Sequence, residues 1–274
     1  MTYLLIGCGN LGEIILNGFY VKKKKVSVFE KKKKIRNNIL RKYKKVKVFD
    51  NLHNINWAEI NHIMICVKPI DSEKSLNEIK EYCLKKHIII SFVAGLNTAF
   101  ISKKLGNKCQ VVRIMPNIFI STNTSATAIY INNNNRSLKS QIFNEFNHFG
   151  ILVKIEDEKK MDFFTAMFGG GPAYIFFILD ILMKIIKKNG FTDKDSLVLL
   201  NSLLEGAIKK LQKGNVDFKS EISEVASRGG TTEEALNVFS QKDRLLNLFN
   251  KAISAATNKS IKISKNLNKS IRYR

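Results

Sequence analysis

Proline is scarce in this 274-residue chain. Only Pro69, Pro116 and Pro172 occur, where average usage would supply about fourteen. That excludes a collagen-like chain, a polyproline spacer and a proline-rich linker. Cysteine is equally thin: Cys8, Cys66, Cys83 and Cys109 are scattered and form no CxxC pair. A disulfide scaffold and a zinc ribbon are both excluded by that spacing. The four histidines have no metal-binding spacing, HExxH included, so no structural metal is expected. Long clean apolar runs are missing too. The best, Ala173 to Met183, is short and broken by Asp180, so no bilayer-spanning segment is expected. No basic region precedes the first apolar run, and Met1 to Ile6 is too short for a signal peptide. Together these absences predict a cytoplasmic protein with reduced thiols and no membrane attachment.

Acidic charge is in deficit: 23 Asp and Glu against 46 Lys and Arg leave a net charge of +23. The lysines come in runs, at 22–25, 31–34, 44–45, 187–188 and 209–210. A nucleic-acid-binding surface is one reading of such runs. Here they sit at helix ends and turns without interleaved aromatics, in a chain also rich in asparagine and isoleucine. That pattern is read as the imprint of an AT-biased genome, not as a nucleic-acid site. A basic surface still favours anionic ligands, dinucleotides included.

What is present is first of all an alternation of strand-like and helix-like segments. The apolar run Tyr3–Ile6 leads directly into Gly7-Cys8-Gly9-Asn10-Leu11-Gly12, and a helical stripe follows at Leu11, Ile14, Ile15 and Phe19. G-x-G-x-x-G between a strand and a helix is a dinucleotide loop. Its first glycine makes the turn, the second admits a pyrophosphate, and the third lets the helix pack on the strand. A second strand, Val26–Phe29, ends at Glu30, 18 positions after Gly12. An acidic residue there accepts hydrogen bonds from the ribose of NAD, whereas Lys31–Lys34 would attract the 2′-phosphate of NADP. Further strands end at Cys66-Val67-Lys68-Pro69, at Val93-Ala94-Gly95 and at Met115-Pro116-Asn117. Ligands sit at such strand ends in doubly wound parallel sheets. The candidate cofactor contacts are therefore Gly7 to Gly12, Glu30, Asn51, Cys66 to Pro69, Ala94, Gly95, Pro116 and Asn117. Cys8 reads as a small filler of the loop. A turn at Asn132–Asn135 and an edge strand at Ile151–Ile155 close this region.

After residue 157 the pattern changes to helices alone, ending in a basic tail, Lys265–Arg274, expected to be solvated or frayed. The fold class expected is α/β followed by all-α: a Rossmann-type doubly wound sheet over residues 1–157 and a helical domain over 158–274. The helices carry more apolar surface than a small bundle can hide, so self-association is expected. Within them, Ser227-Arg228-Gly229-Gly230-Thr231-Thr232 runs straight into a helix start. Thr231 or Thr232 is the expected N-cap, with Glu234 completing a capping box. Two glycines before a helix expose backbone N–H groups at its positive end, where a carboxylate or phosphate can bind. An ordinary capped helix behind a flexible turn fits the same residues.

Taken together, GCGNLG at 7–12, CVKP at 66–69, VAG at 93–95, RIMPN at 113–117, GGGPAY at 169–174 and SRGGTTEEAL at 227–236 resemble the pyrroline-5-carboxylate reductase family over essentially the whole chain. The last stretch is similar to that family's Ser-Pro-Gly-Gly-Thr-Thr signature. The chain departs from the family pattern at Gly170, where a serine is usual, at Arg228, where a proline is usual, and at Ile118-Phe119, which replaces Thr-Pro. The resemblance implies a helical dimerisation domain, a homodimer and, as its extension, a larger ring of dimers. It implies reduction of 1-pyrroline-5-carboxylate to L-proline with NADPH, or with NADH as the alternative. The substrate carboxylate would rest on the backbone of Gly229, Gly230, Thr231 and Thr232 with help from Ser227. The Thr232 hydroxyl would be the catalytic contact to the ring nitrogen. Rival readings are another two-domain NAD(P)-dependent dehydrogenase of a hydroxy acid, a basic nucleic-acid-binding module, and a non-catalytic dinucleotide sensor. A hydroxy-acid enzyme of this plan would want a lysine base in the first interdomain helix, and Met161–Phe168 offers none.

Overall fold

Strand-forming residues are concentrated before residue 155, and in the computed structural model they build one eight-stranded sheet. The structure describes residues 1–132 and 135–269. The strands are β1 (Thr2–Ile6), β2 (Lys25–Phe29), β3 (Lys47–Phe49), β4 (His62–Ile65), β5 (Ile88–Ser91), β6 (Gln110–Met115), β7 (Ser125–Ile131) and β8 (Gly150–Lys154). Their order across the sheet is β3-β2-β1-β4-β5-β6-β7-β8. Chain order reverses beside β1, which pairs with both β2 and β4. That switch point opens the crevice where such sheets bind ligands. The expected doubly wound sheet is mostly parallel, with one reversal. β7 runs antiparallel to β6, and β8 then pairs in parallel with β7. The reversal follows a short 3-10 turn at Ile118–Thr122 that ends in a left-handed Asn123.

The central strands are apolar on both faces because helices cover both. Alternate residues Tyr3, Leu5, Met64, Ile90 and Val112 enter a core with α1 (Asn10–Val21), α2 (Lys33–Lys42) and α5 (Arg136–Phe146). Their neighbours Leu4, Ile6, Ile63, Ile65 and Ile89 enter a second core with α3 (Pro69–Ile79) and α4 (Thr98–Lys104).

The remaining helices are α6 (Lys160–Phe164), α7 (Gly171–Lys188), α8 (Asp193–Gln212), α9 (Phe218–Val225), α10 (Thr231–Ser240) and α11 (Arg244–Lys269). A five-residue π turn, Thr165–Gly169, joins α6 to α7. The chain falls into two compact units, residues 1–172 with 255–274, and residues 173–254. The sheet-bearing unit thus takes in more than residues 1–157. Met161 and Phe164 of α6 pack with Met115 and Ala128 of the sheet, and Leu267 of α11 packs on the α3–α4 core. The basic tail is helical as far as Lys269, and Lys265 and Asn266 are exposed on it, in keeping with the expected solvation. Residues 270–274, and 133–134 within the expected Asn132–Asn135 turn, lie outside the described residues.

In the second unit most large apolar side chains are exposed. Ile175, Phe176, Phe177, Ile181 and Ile185 line α7, with Phe177 66% exposed. The helical run Lys160–Lys188 is 29 residues and contains an 18-residue window with a mean hydropathy of 1.6, long and apolar enough by length and composition alone to cross a membrane. Asp180 is accommodated by Lys184 one turn on, at 2.6 Å.

Candidate functional site

The glycine loop shows three different uses for a missing side chain. Gly7 has φ +82° and donates its N–H to the Phe29 carbonyl at 2.9 Å. A Cβ on Gly12 would stand 2.7 Å from the Gly7 carbonyl oxygen, so α1 can approach β1 only without one. A Cβ on Gly9 would meet nothing within 4 Å. The space in front of Gly9 is open, at the N-terminus of α1, whose first N–H groups have no intrahelical acceptor. Open backbone donors at a positive helix end suit a pyrophosphate. The residues present therefore fit a dinucleotide.

Glu30 is 8% exposed, and its carboxylate is engaged on both oxygens. One accepts from the Cys8 N–H at 2.9 Å and the other from the Lys32 N–H at 2.8 Å. Glu30 thereby staples the glycine loop to the end of β2. Beside it lies a cleft of about 250 Å³ bordered by Gly7, Gly9, Glu30, Lys32, Lys68 and Lys74. Two nearby cations are already engaged: Lys31 with Glu78 at 2.5 Å and Arg36 with Asp50 at 3.1 Å. Asn51 caps the short turn after β3, its side-chain oxygen accepting from the His53 N–H at 3.0 Å.

Burial pushes the Cys8 thiol up to about 12, with Glu13 and Glu30 adding to the shift. Burial also pushes Cys66 up to about 12, helped by Cys8. Neither is a thiolate at neutral pH, which supports the filler reading of Cys8.

The other strand ends gather on the same edge of the sheet. Lys68 is the N-cap of α3 and Pro69 its first residue. A Cβ on Gly7 would lie 2.7 Å from the Val67 side chain and 3.1 Å from the Cys66 carbonyl, so the first and fourth strand-end loops touch. Gly95 has φ +73°, but its open side faces α11. A Cβ there would stand 3.0 Å from the Ser260 carbonyl oxygen and 2.8 Å from the Ile263 side chain. Ala94 packs beside Met115 and Met161. Pro116 is buried. The Asn117 side chain accepts from the Phe119 N–H at 3.0 Å and donates to the Phe168 carbonyl at 2.9 Å. Gly95 and Asn117 thus have structural work that spacing alone does not reveal.

The glycine-threonine turn lies in the second compact unit and stands by itself here. The N-cap of α10 is Gly230, with no side-chain cap, so neither Thr231 nor Thr232 caps and the Thr231–Glu234 box does not form. Instead Glu233 reaches back to accept from the Gly229 N–H at 2.7 Å. The Gly230 N–H closes the turn on the Ser227 carbonyl at 3.0 Å. Gly229 has φ +72°, and a Cβ on Gly230 would stand 2.7 Å from the Ser227 hydroxyl, so both glycines are required. Arg228 is exposed, and the turn closes without the usual proline. Thr231 and Thr232 occupy the first turn of α10, where N–H groups have no intrahelical acceptor.

Comparison with known proteins decides among the readings. A family model described as pyrroline-5-carboxylate reductase dimerisation matches residues 158–263. The pyrroline-5-carboxylate reductase of Aquifex aeolicus is 33% identical over 66% of this chain and 67% of its own length. The chain belongs to the pyrroline-5-carboxylate reductase family. The same enzyme from Staphylococcus epidermidis is 27% identical over 75% of this chain and 76% of its own length. A crystal structure of Plasmodium falciparum pyrroline carboxylate reductase with NADP bound superimposes with a TM-score of 0.85. It is 25% identical and covers 96% of this chain and 98% of that one. Residues 2–95 match a model described as NADP oxidoreductase, coenzyme F420-dependent. As a member of the pyrroline-5-carboxylate reductase family, the chain is an NAD(P)-dependent oxidoreductase with that activity, built from an NADP-binding sheet half and a helical dimerisation half. The long apolar helical run lies within the dimerisation match.

Proposed function

We propose that the enzyme reduces 1-pyrroline-5-carboxylate to L-proline on the first turn of α10, with NADPH as the preferred reductant. The observation that carries the reading is the turn at 227–232, whose two obligatory glycines deliver the chain to a helix start with open N–H groups at Thr231 and Thr232. The substrate carboxylate rests on those two N–H groups, at the positive end of the helix. Gly229 and Gly230 shape the turn, their own N–H groups being engaged by Glu233 and Ser227. Arg228 adds a cation beside the carboxylate. The Thr232 hydroxyl hydrogen-bonds the ring nitrogen and orients it, while the proton on that nitrogen comes from solvent before the hydride arrives. A bound nicotinamide supplies the hydride. The remaining work is positioning, because a protonated cyclic imine is already electrophilic.

On the sheet half, the open face of Gly9 and the N-terminus of α1 take the pyrophosphate, with the backbone of Cys8, Asn10, Leu11 and Cys66 to Pro69 around it. With Glu30 turned towards the loop backbone, Lys32, Lys68 and Lys74 favour a 2′-phosphate over a bare ribose. The NADP-bound relative supports the same choice. The exposed apolar face of α7 is covered by a second copy of the chain in a homodimer, a reading that the dimerisation match over 158–263 supports. Four free thiols accord with a cytoplasmic location.

Thr232→Ala tests the assignment. It keeps the backbone donors and removes one hydroxyl, so kcat/KM should fall by about 2–3 kcal/mol in transition-state terms, roughly a hundredfold. Thr232→Ser should retain most activity. An alanine variant with the wild-type kcat/KM would show that the hydroxyl is not catalytic.

A further inference from the structure

The loop after β5, residues 92–97, and the start of α4 at Thr98 are flanked on two sides by groups that come from far along the chain. On one side stands Glu158, just before α6. Its carboxylate accepts from the Thr98 N–H at 2.8 Å and from the Thr98 hydroxyl at 2.8 Å, closing the N-terminus of α4. The same carboxylate pairs with Arg113 of β6 at 2.9 Å. Thr98 and Arg113 are 2% and 3% exposed and the Glu158 side chain 19%, so this is a largely buried, charge-assisted junction. On the other side stands α11. Its Ser260 donates to Asp162 of α6 at 2.6 Å, and the Ser260 carbonyl lies 3.0 Å from where a Gly95 Cβ would be. Asn97 donates to Ser264 at 3.4 Å, one turn further along α11. Every one of these residues belongs to the sheet-bearing unit.

We propose that Glu158 and Ser260 are positioning residues for the reaction: together they clamp the 92–97 loop at the rim of the cofactor crevice and so fix where the reducing end of the dinucleotide lies. Neither residue touches cofactor or substrate. They act through the loop, whose apolar residues Phe92, Val93 and Leu96 are buried in the cores and whose polar end at Asn97 and Thr98 depends on these distant groups. The inference rests on the proposed function in one respect, the placement of a nicotinamide at this strand end. Its physical basis is separate. A loop with a left-handed glycine and a buried helix start is fixed only if the groups that complete it are fixed. Here both Glu158 and Ser260 are tied to the α6 region, one through the chain and one through Asp162. Hydride transfer is sensitive to displacements of an ångström or less, so loosening this clamp should appear in the chemical step rather than in affinity.

Conservative variants test it: Thr98→Val, which removes one bond to Glu158 and keeps the shape, its control Thr98→Ser, and Ser260→Ala. Glu158 itself is left in place, because removing it would strand the buried Arg113 charge. Amide hydrogen exchange on the cofactor-free protein comes first. Residues 93–98 should exchange at least tenfold faster in Thr98→Val and Ser260→Ala, with the rest of the sheet unchanged. Turnover with 1-pyrroline-5-carboxylate and 4-deuterated NADPH comes second. The same two variants should show kcat lowered about tenfold, a larger primary deuterium isotope effect, and a KM for NADPH within threefold of wild type, while Thr98→Ser behaves as wild type. Wild-type kcat and isotope effect in both variants, or exchange at 93–98 that does not change, would overturn the clamp. A wild-type protein without turnover, whose exchange pattern still responds as described, would instead overturn the proposed activity and leave the clamp standing.

Discussion

The two halves of this enzyme dispose of their apolar residues in opposite ways. In the sheet half, Leu4, Leu5, Ile63, Met64, Ile89 and Ile90 are wholly buried. In residues 173–254 such burial is rare. Leu200 is 6% exposed, while Phe177, Leu203 and Val225 are each 66% exposed. The first half completes its core within one chain, and the second does not. An apolar helical face left open on this scale is an unfinished interface, as a dimerisation region requires. Stability of the second half is therefore linked to protein concentration, whereas that of the first is not.

The largest effect should come from breaking the unfinished face. Phe177→Asp combined with Ile181→Asp on α7 should abolish self-association, read as a monomer by sedimentation, and reduce activity more than a hundredfold. The sheet half should keep its cooperative melting. Next is the border between the halves. A fragment ending at residue 157 loses Met161, which is wholly buried, and Phe164, 7% exposed. Each should cost about 1.5–3 kcal/mol, so denaturant titration should place its midpoint well below that of the sheet half in the whole chain. An undiminished midpoint would place the border at 157. Within the sheet half, Gly12→Ala sets a Cβ 2.7 Å from the Gly7 carbonyl. Backbone cannot yield as a side chain can, so a loss of about 1–3 kcal/mol and at least tenfold weaker NADPH binding are expected by calorimetry.

Acid should unfold the sheet half first. Burial holds His62 down at about 4, assisted by the N-terminal ammonium, and holds His148 down at about 4, assisted by Lys22. Below about 6.5 the unfolded chain takes up protons that the native state refuses. Stability is therefore fully present above that pH and is lost as pH falls towards 4, by on the order of 2 kcal/mol per histidine. Glu145, raised by its burial, acts with the opposite sign, favouring the fold at low pH. His148→Gln should flatten the fall of Tm between pH 6.5 and 4. A Tm independent of pH across that window would contradict the buried, neutral state of both rings.

Much of this was legible in the sequence for physical reasons that can be named. The glycine loop was readable because each of its glycines answers a local demand, and local demands show in spacing. The buried parallel strands were readable as continuous apolar runs. The antiparallel β7 was not, since its reversal depends on a 3-10 turn and a left-handed Asn123 that leave no mark in hydropathy. Gly95 and Asn117 were read as cofactor contacts because they sit at strand ends; their partners Ser260 and Phe168 are distant in sequence. The α10 cap, expected at Thr231 or Thr232, lies at Gly230. Threonine is the better capper by propensity, but the left-handed Gly229 and the Glu233 carboxylate on its N–H carry the chain into the helix one residue earlier. Glu30 shows the smallest effect. Its stapling of Cys8 means that Glu30→Gln should weaken both cofactors by a similar factor, less than about tenfold, instead of shifting the preference towards NADPH. A change in the ratio of kcat/KM for NADPH and NADH would show that Glu30 does face the ribose.

The most direct test is to incubate the full-length enzyme with NADPH and 1-pyrroline-5-carboxylate and to count NADPH oxidised against L-proline formed. The account requires saturable, one-to-one conversion, lost in parallel with dimerisation in the Phe177→Asp, Ile181→Asp variant. A folded, dimeric protein that leaves NADPH unoxidised would contradict it.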